Sequence, residues 1–155
     1  MREIREVIFR GKRTDSGEWV YGYYTKARYF LNKKEMHIIF EPDVEAFPHC
    51  EFTGYEEVLP ETVGQFTGLN DKNGVRIFEG DILKSTIKII DCNDEGFSIS
   101  HYDEELIGIV EWRKGSFMIA HKSGTWARSF YGCENYVIGN IHDNPEILKG
   151  GGENG

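Results

Sequence analysis

Paired carboxylates are the residues of this chain best suited to chemistry. Glu79 and Asp81 flank Gly80 in IFEGDIL, and two positions apart on a strand they share a face. Asp143 and Glu146 follow near the C-terminus in IHDNPEIL. Brought together, the four could hold a divalent cation or share a proton at a raised pKa. A bland reading competes and is preferred. A glycine inside a strand run marks a bulge or bend, Asp81 can accept hydrogen bonds from turn amides, and Glu146 suits the positive end of a helix start.

Three other sets compete. His49-Cys50, Cys92, His101, His121, Cys133 and His142 could supply zinc ligands or a thiolate nucleophile. Structural zinc sites use closely spaced ligand pairs, and this spacing has none, so no metal or catalytic residue is expected. Arg10, Lys12, Arg13, Lys26 and Arg28 interleave with Trp19, Tyr21, Tyr23 and Tyr24. Such a surface can stack bases and hold phosphates. Aromatics at a period of two are more simply core and cross-strand pairs, and burial of Trp19, Tyr21 and Tyr23 is the expectation. Acids crowd two stretches. Glu41, Asp43, Glu45, Glu51, Glu56 and Glu57 lie in the first, and Asp91, Asp94, Asp103, Glu104 and Glu105 in the second. Such loops can steer encounter with a basic protein site. Lys84, Arg113, Lys114, Lys122 and Arg128 could hold a nucleotide at a barrel mouth or subunit interface, although nothing in their spacing makes them converge. No phosphate-binding glycine loop or nucleophile elbow is present in the sequence.

Short strands must carry these residues. Ile4 to Gly11 and Glu18 to Tyr24 read as a hairpin around Thr14-Asp15-Ser16-Gly17. Met36 to Glu41 is a further strand. The proline- and acid-rich stretch up to Glu61 reads as loop, with a short edge strand near Glu51-Phe52. Thr62 to Leu69 and Val75 to Phe78 flank Asn73-Gly74, a strong hairpin signal. Ile82 to Ile90 continues the sheet. Residues 91–107 read as an excursion from it, with a helical turn near Asp103. Gly108 to Trp112 pairs with Phe117 to His121, and Trp126 to Tyr131 and Tyr136 to Ile141 follow. Asn144-Pro145-Glu146 starts one short helical turn, Asn144 as its cap. The expected class is all-β. An N-terminal β region with an acidic loop (1–76) packs on a small SH3-like barrel (77–149, with insertion 91–107), and a disordered tail (150–155) ends the chain.

Composition narrows the function. The 155 residues carry a net charge of −8, which suits sequence-blind DNA binding poorly. The charge is uneven: residues 1–40 hold nine Lys/Arg against five Asp/Glu, and residues 41–82 two against ten. A local basic exception is therefore open. No apolar run approaches the roughly 20 residues of a membrane span, and the start has too short an apolar stretch for a signal peptide. Three scattered cysteines predict a reducing, cytoplasmic setting.

Four segments together carry a family resemblance: RGKRTDSGEWVYGYY, PETVGQFTGLNDKNGVRIFEGDIL, GIVEWRKGSFMI and VIGNIHDNPEIL. In order and spacing they resemble the YopX family of phage and prophage proteins. The resemblance spans almost the whole chain apart from residues 91–107 and the tail. It implies a mostly β fold with an SH3-like component and a phage or prophage origin. It implies no activity and no functional residue. The expectation is a non-enzymatic accessory protein without a cofactor, cytoplasmic in the bacterial host. It would act by binding a host or phage protein, and self-association is compatible with that. Nucleic-acid binding by the basic aromatic hairpin is the first alternative, and nucleotide capture the second. No membrane partner is expected.

Overall fold

The computed structural model describes residues 4–41, 54–92, 99–121, 127, 128, 130 and 133–149. The chain forms two compact units, Met1–Gly68 and Leu69–Gly155. Both are built from antiparallel strands, as the alternation predicts.

The first unit holds β1 (Phe9–Lys12), β2 (Trp19–Arg28), β3 (Glu35–Phe40), β4 (Tyr55–Glu57) and most of β5 (Gly64–Asn70), in the order β4-β3-β2-β1-β5. The 3-10 turn Pro60–Thr62 precedes β5. β1 and β2 pair around the predicted turn, with Arg10 opposite Tyr21 and Lys12 opposite Trp19. β2 and β3 pair from Tyr23↔Phe40 to Arg28↔Glu35. One face of this sheet buries Ile39 and Val58 beside Gly11 and Gly22. Gly22 is required there: a Cβ would lie 1.8 Å from the Phe40 carbonyl oxygen. The edge strand expected at Glu51-Phe52 lies outside the described residues, and the short strand found is Tyr55–Glu57.

β5 runs past Gly68, and β6 (Arg76–Phe78) pairs with it across the Asp71–Val75 turn. The second unit's sheet contains β7 (Asp81–Cys92), β8 (Ile99–Arg113), β9 (Ser116–His121), β10 (Ala127–Arg128) and β11 (Cys133–Asn140), in the order β10-β9-β8-β7-β11. Ile77, Leu83, Val110 and Ile119 form its core, against which Phe117, Phe130 and Val137 pack. Ser85 and Asn135 are a buried polar pair, the Ser85 hydroxyl donating to Asn135 Oδ1 at 2.7 Å. The register of β11 on β7 shifts between Val137 and Gly139.

Two local expectations are corrected. Asp91-Cys92 and Ile99–Ile107 belong to strands, and Asp103 lies in β8 opposite Lys88 rather than in a helical turn. Acidic composition suggested a loop, but the β7–β8 ladder satisfies the backbone while leaving Asp103, Glu104 and Glu105 exposed to water. At the C-terminus, Pro145–Leu148 forms the expected short turn as a 3-10 helix, but Asn144 does not cap it with its side chain. Asn144 Oδ1 accepts instead from Asn140 N–H at 3.4 Å. The tail 150–155 lies outside the described residues.

Candidate functional site

The best-defined surface is one face of the β1–β4 sheet. The β1–β2 turn sets its register. Gly17 takes a φ of 72°, Gly17 N–H donates to the Arg13 carbonyl at 3.1 Å, and Arg13 N–H donates to the Glu18 carbonyl at 2.9 Å. Alternation then puts Arg10 and Lys12 of β1 on the same face as Trp19, Tyr21 and Tyr23 of β2. Tyr23 stands opposite Phe40, and Phe40 opposite Tyr55, which extends the aromatics laterally over three strands. The Phe40 and Tyr55 rings meet edge-on at 6.3 Å.

This band is open to water. Tyr21, Tyr23 and Tyr55 are 45 %, 52 % and 41 % exposed, and Trp19 is half-buried. The expectation that the striped aromatics form core is therefore overturned. The tighter packing is on the other face, where Phe9 and Tyr24 rings lie 5.4 Å apart and Tyr24 Oη meets His37 Nδ1 at 2.6 Å, while on the aromatic face Ile38 is buried beside the open rings. Arg10 is 7 % exposed, with its guanidinium 4.7 Å from the Trp19 ring centroid, and Lys12 Nζ lies 5.4 Å from the same ring. Both geometries are cation–π contacts.

Of the proposed nucleic-acid residues, Arg10, Lys12, Trp19 and Tyr21 thus share a face. Lys26 and Arg28 alternate onto the opposite one. Arg13 is held at the turn by Asp15, Nε to Oδ1 at 2.9 Å and a terminal nitrogen to Oδ2 at 2.8 Å, with Glu56 at 3.3 Å. The Arg13 hydrogen bond holds the Asp15 carboxyl below its ordinary range.

The carboxylates do a different job. Asp81 is 1 % exposed, and its Oδ2 accepts Phe78 N–H at 2.8 Å. Gly80 between them has a φ of 84°, donates to the Val110 carbonyl and accepts from Ile141 N–H, both at 2.9 Å. Glu79-Gly80-Asp81 is a bend locked from within. Asp143 Oδ2 accepts from Asn140 Nδ2 at 3.0 Å, and Glu146 is exposed in the last turn. Among the described residues, no three His, Cys, Asp or Glu side chains group as metal ligands.

The acidic residues do not make one patch. Glu41 is exposed, Glu56 pairs with Arg13, and Glu57 pairs with Lys34 at 3.3 Å. Asp43, Glu45, Glu51, His49 and Cys50 lie outside the described residues. Asp103 and Glu104 are exposed on β8, where Glu105 meets Lys84 at 2.7 Å. Of the anion-binding candidates, Lys84 is thus paired, and Arg113 meets Glu111 at 2.6 Å.

Sequence reading missed one carboxylate that organises the second unit. Asp71 Oδ1 accepts Asn73 and Val75 N–H at 2.8 and 2.9 Å, and Oδ2 accepts Val137 N–H at 3.0 Å. Lys72 N–H adds a bond to the Asn135 carbonyl at 3.0 Å. The turn therefore covers the outer edge of β11, an edge strand otherwise open to pairing. Burial alone would raise the Asp71 pKa, but the three amide donors outweigh it and the net shift is downward. The signal was present in Asp-x-Asn-Gly, since Asp accepts from amides two residues on. Its reach to Val137 was not.

The segment from the first hairpin to the last turn matches a family model. The model described as YopX protein covers residues 8–149. The chain belongs to the YopX family. No curated protein matches it. Among solved structures, this YopX-family chain is similar to protein EF1440 from Enterococcus faecalis, at 25 % identity and a TM-score of 0.45. The match covers 92 % of this chain and 98 % of that one.

Proposed function

We propose that this YopX-family chain is a non-enzymatic accessory protein of a phage or prophage. It works in the host cytoplasm by binding a host or phage protein through the aromatic face of the β1–β4 sheet. The observation that carries this reading is the exposure of Tyr21, Tyr23 and Tyr55 on one face, beside a Trp19 fixed by Arg10 and Lys12. Tyr, Trp and Arg dominate the energetics of protein interfaces because they offer large, stiff contact areas with polar edges. A rigid sheet presents them without a backbone-ordering cost on binding. The acidic stretches would steer encounter with a basic partner. The second unit is read as the SH3-like component of the scaffold.

Base stacking on the same rings is the second reading. It is the weaker one. Arg13 is engaged by Asp15 and Glu56, and Lys26 and Arg28 face the other way. Few cations remain to hold phosphates, the main source of such affinity.

A photo-crosslinking amino acid placed at Tyr23 in host cells tests both. Protein adducts that disappear in a Tyr21→Ala, Tyr55→Ala background are expected. Adducts mainly to nucleic acid would replace the first reading with the second. Adducts unaffected by those substitutions would remove this face from the function.

A further inference from the structure

The β2–β3 hairpin outruns its neighbours. β1 pairs with β2 only as far as Gly22, and β4 with β3 only as far as Ile38, with Val58 N–H reaching the His37 carbonyl. Past Lys26 and His37 it continues as two strands, through Ala27↔Met36 and Arg28↔Glu35. Its end is a closed turn. Tyr29 N–H donates to the Lys34 carbonyl and Lys33 N–H to the Tyr29 carbonyl, both at 2.9 Å, and Lys34 N–H donates to Asn32 Oδ1 at 3.0 Å. Lys33 takes a left-handed φ of 59° to complete it. This defined turn holds Phe30 86 % and Leu31 78 % exposed at its apex. Two large apolar side chains fixed in water at the tip of an arm point to a surface that receives them.

Cations surround the apex. Residues 25–36 hold Lys26, Arg28, Lys33 and Lys34 against a single acid, Glu35. Glu35 meets Lys26 at 3.2 Å and Glu57 meets Lys34 at 3.3 Å, both pairs in solvent and therefore weak. Just after the apex Lys33 makes no ion pair among the described residues, and just before it Arg28 stands opposite Glu35, whose charge it feels without a close ion pair.

We propose that this apex is a contact for an anionic lipid bilayer. Phe30 and Leu31 enter the boundary between headgroups and acyl chains, while Arg28, Lys33 and Lys34 hold the anionic headgroups. Two features favour lipid over a protein pocket. The apolar tip is convex, and a bilayer accepts a convex wedge without a shaped cavity. The cations flank the apex on both sides, Arg28 at the end of β2 and Lys33 and Lys34 just before β3, which matches a laterally uniform sheet of negative charge. The net charge of −8 does not oppose this. Charges beyond about 8 Å are screened at physiological salt, and four extended residues of arm reach roughly 13 Å. Among the described residues no helix is long and apolar enough to cross a membrane, and surface binding requires none. Binding should be reversible, as for a single acyl chain.

Flotation of the full chain with extruded vesicles tests this apart from the protein-binding reading. With vesicles of phosphatidylcholine plus about a third phosphatidylglycerol, the chain should float. With pure phosphatidylcholine it should bind at least tenfold less. Phe30→Ser with Leu31→Ser should lower anionic binding at least tenfold, and so should Arg28→Glu with Lys33→Glu. All four positions are exposed, and an unchanged circular dichroism spectrum would show that the fold persists. Tyr21→Ala with Tyr23→Ala should leave flotation unchanged, because those residues belong to the other surface. The proposal is overturned if the wild type stays with the unbound fraction, if it binds both vesicle types equally, or if the apex variants float as the wild type does.

Discussion

The two sheets use the same alternation in opposite ways. In the second unit, the stripe that includes Leu83 and Val110 faces inward, and Ile77, Leu83, Val110 and Ile119 are each at most 3 % exposed. In the first unit, the stripe Trp19-Tyr21-Tyr23 faces outward, and the packed face is the one bearing Gly22, Tyr24 and Ile39. Period two says which residues share a face, and it does not say which face is wet. Size gives the missing hint. A strand face made of Val20, Gly22 and Tyr24 can approach its neighbours closely, and Gly22 leaves no room for a Cβ. Interface rings need no such approach.

This contrast breaks first at the second unit's core. Leu83→Ala should cost about 2–5 kcal/mol by lost burial and a residual cavity, measured by urea unfolding. A loss under about 1 kcal/mol would mean that Leu83 is not packed as described. Next, Gly22→Ala probes the packed face of the first unit, where the added methyl meets backbone rather than a side chain that could swing away. Overpacking of this kind costs about 1–3 kcal/mol, again read from urea unfolding. A neutral result would place the tight face of β2 on the Tyr21 side instead.

Much of this was legible in the residues. Asn73-Gly74 predicted its hairpin, Thr14–Gly17 predicted the β1–β2 hairpin, and the strands around Gly115 follow from alternation on both sides. What was not legible depends on distant partners. The burial of Asp81 against its own turn could be guessed from Gly80, but the wet aromatic face could not, because exposure is decided by what the rest of the chain covers. Ile99–Ile107 looked like loop because acids suppress the hydrophobic signal, while the pairing that orders it comes from β7. The apolar triplet Tyr29-Phe30-Leu31 carries no signal in its pattern, because its message lies in exposure.

Asp71 sharpens the comparison by pH. Its carboxylate is stabilised in the folded state, so its pKa lies below the ordinary 3.8. The stability it contributes is therefore fully present above that value and is lost as pH falls through the lower, folded one. Asp71→Ala removes the acceptor of three amides and should cost about 1–3 kcal/mol at pH 7. Its acid-unfolding curve below pH 4 should also be flatter than that of the wild type. In hydrogen exchange, the amide of Val137 should lose protection while those of the first unit keep theirs. If the variant and the wild type respond alike to acid, the carboxylate does not close the β11 edge.

The smallest effect on stability is expected where the largest effect on function is proposed. Tyr21→Ala and Tyr23→Ala each remove a ring that is about half exposed, and surface changes of this kind fall within about 0.5 kcal/mol. A core residue of the same size would cost several times more. A small urea shift, with loss of the crosslinked protein partner, is the signature of a ring retained for contact. A loss above about 2 kcal/mol would instead show that the band packs the sheet, and the two faces of β2 would then differ less than their exposure indicates. Trp19 lies between these cases, since two cations rest on its ring and Arg10 is buried beneath the band. Trp19→Ala should therefore destabilise more than either tyrosine change, because it leaves a buried guanidinium without its aromatic contact.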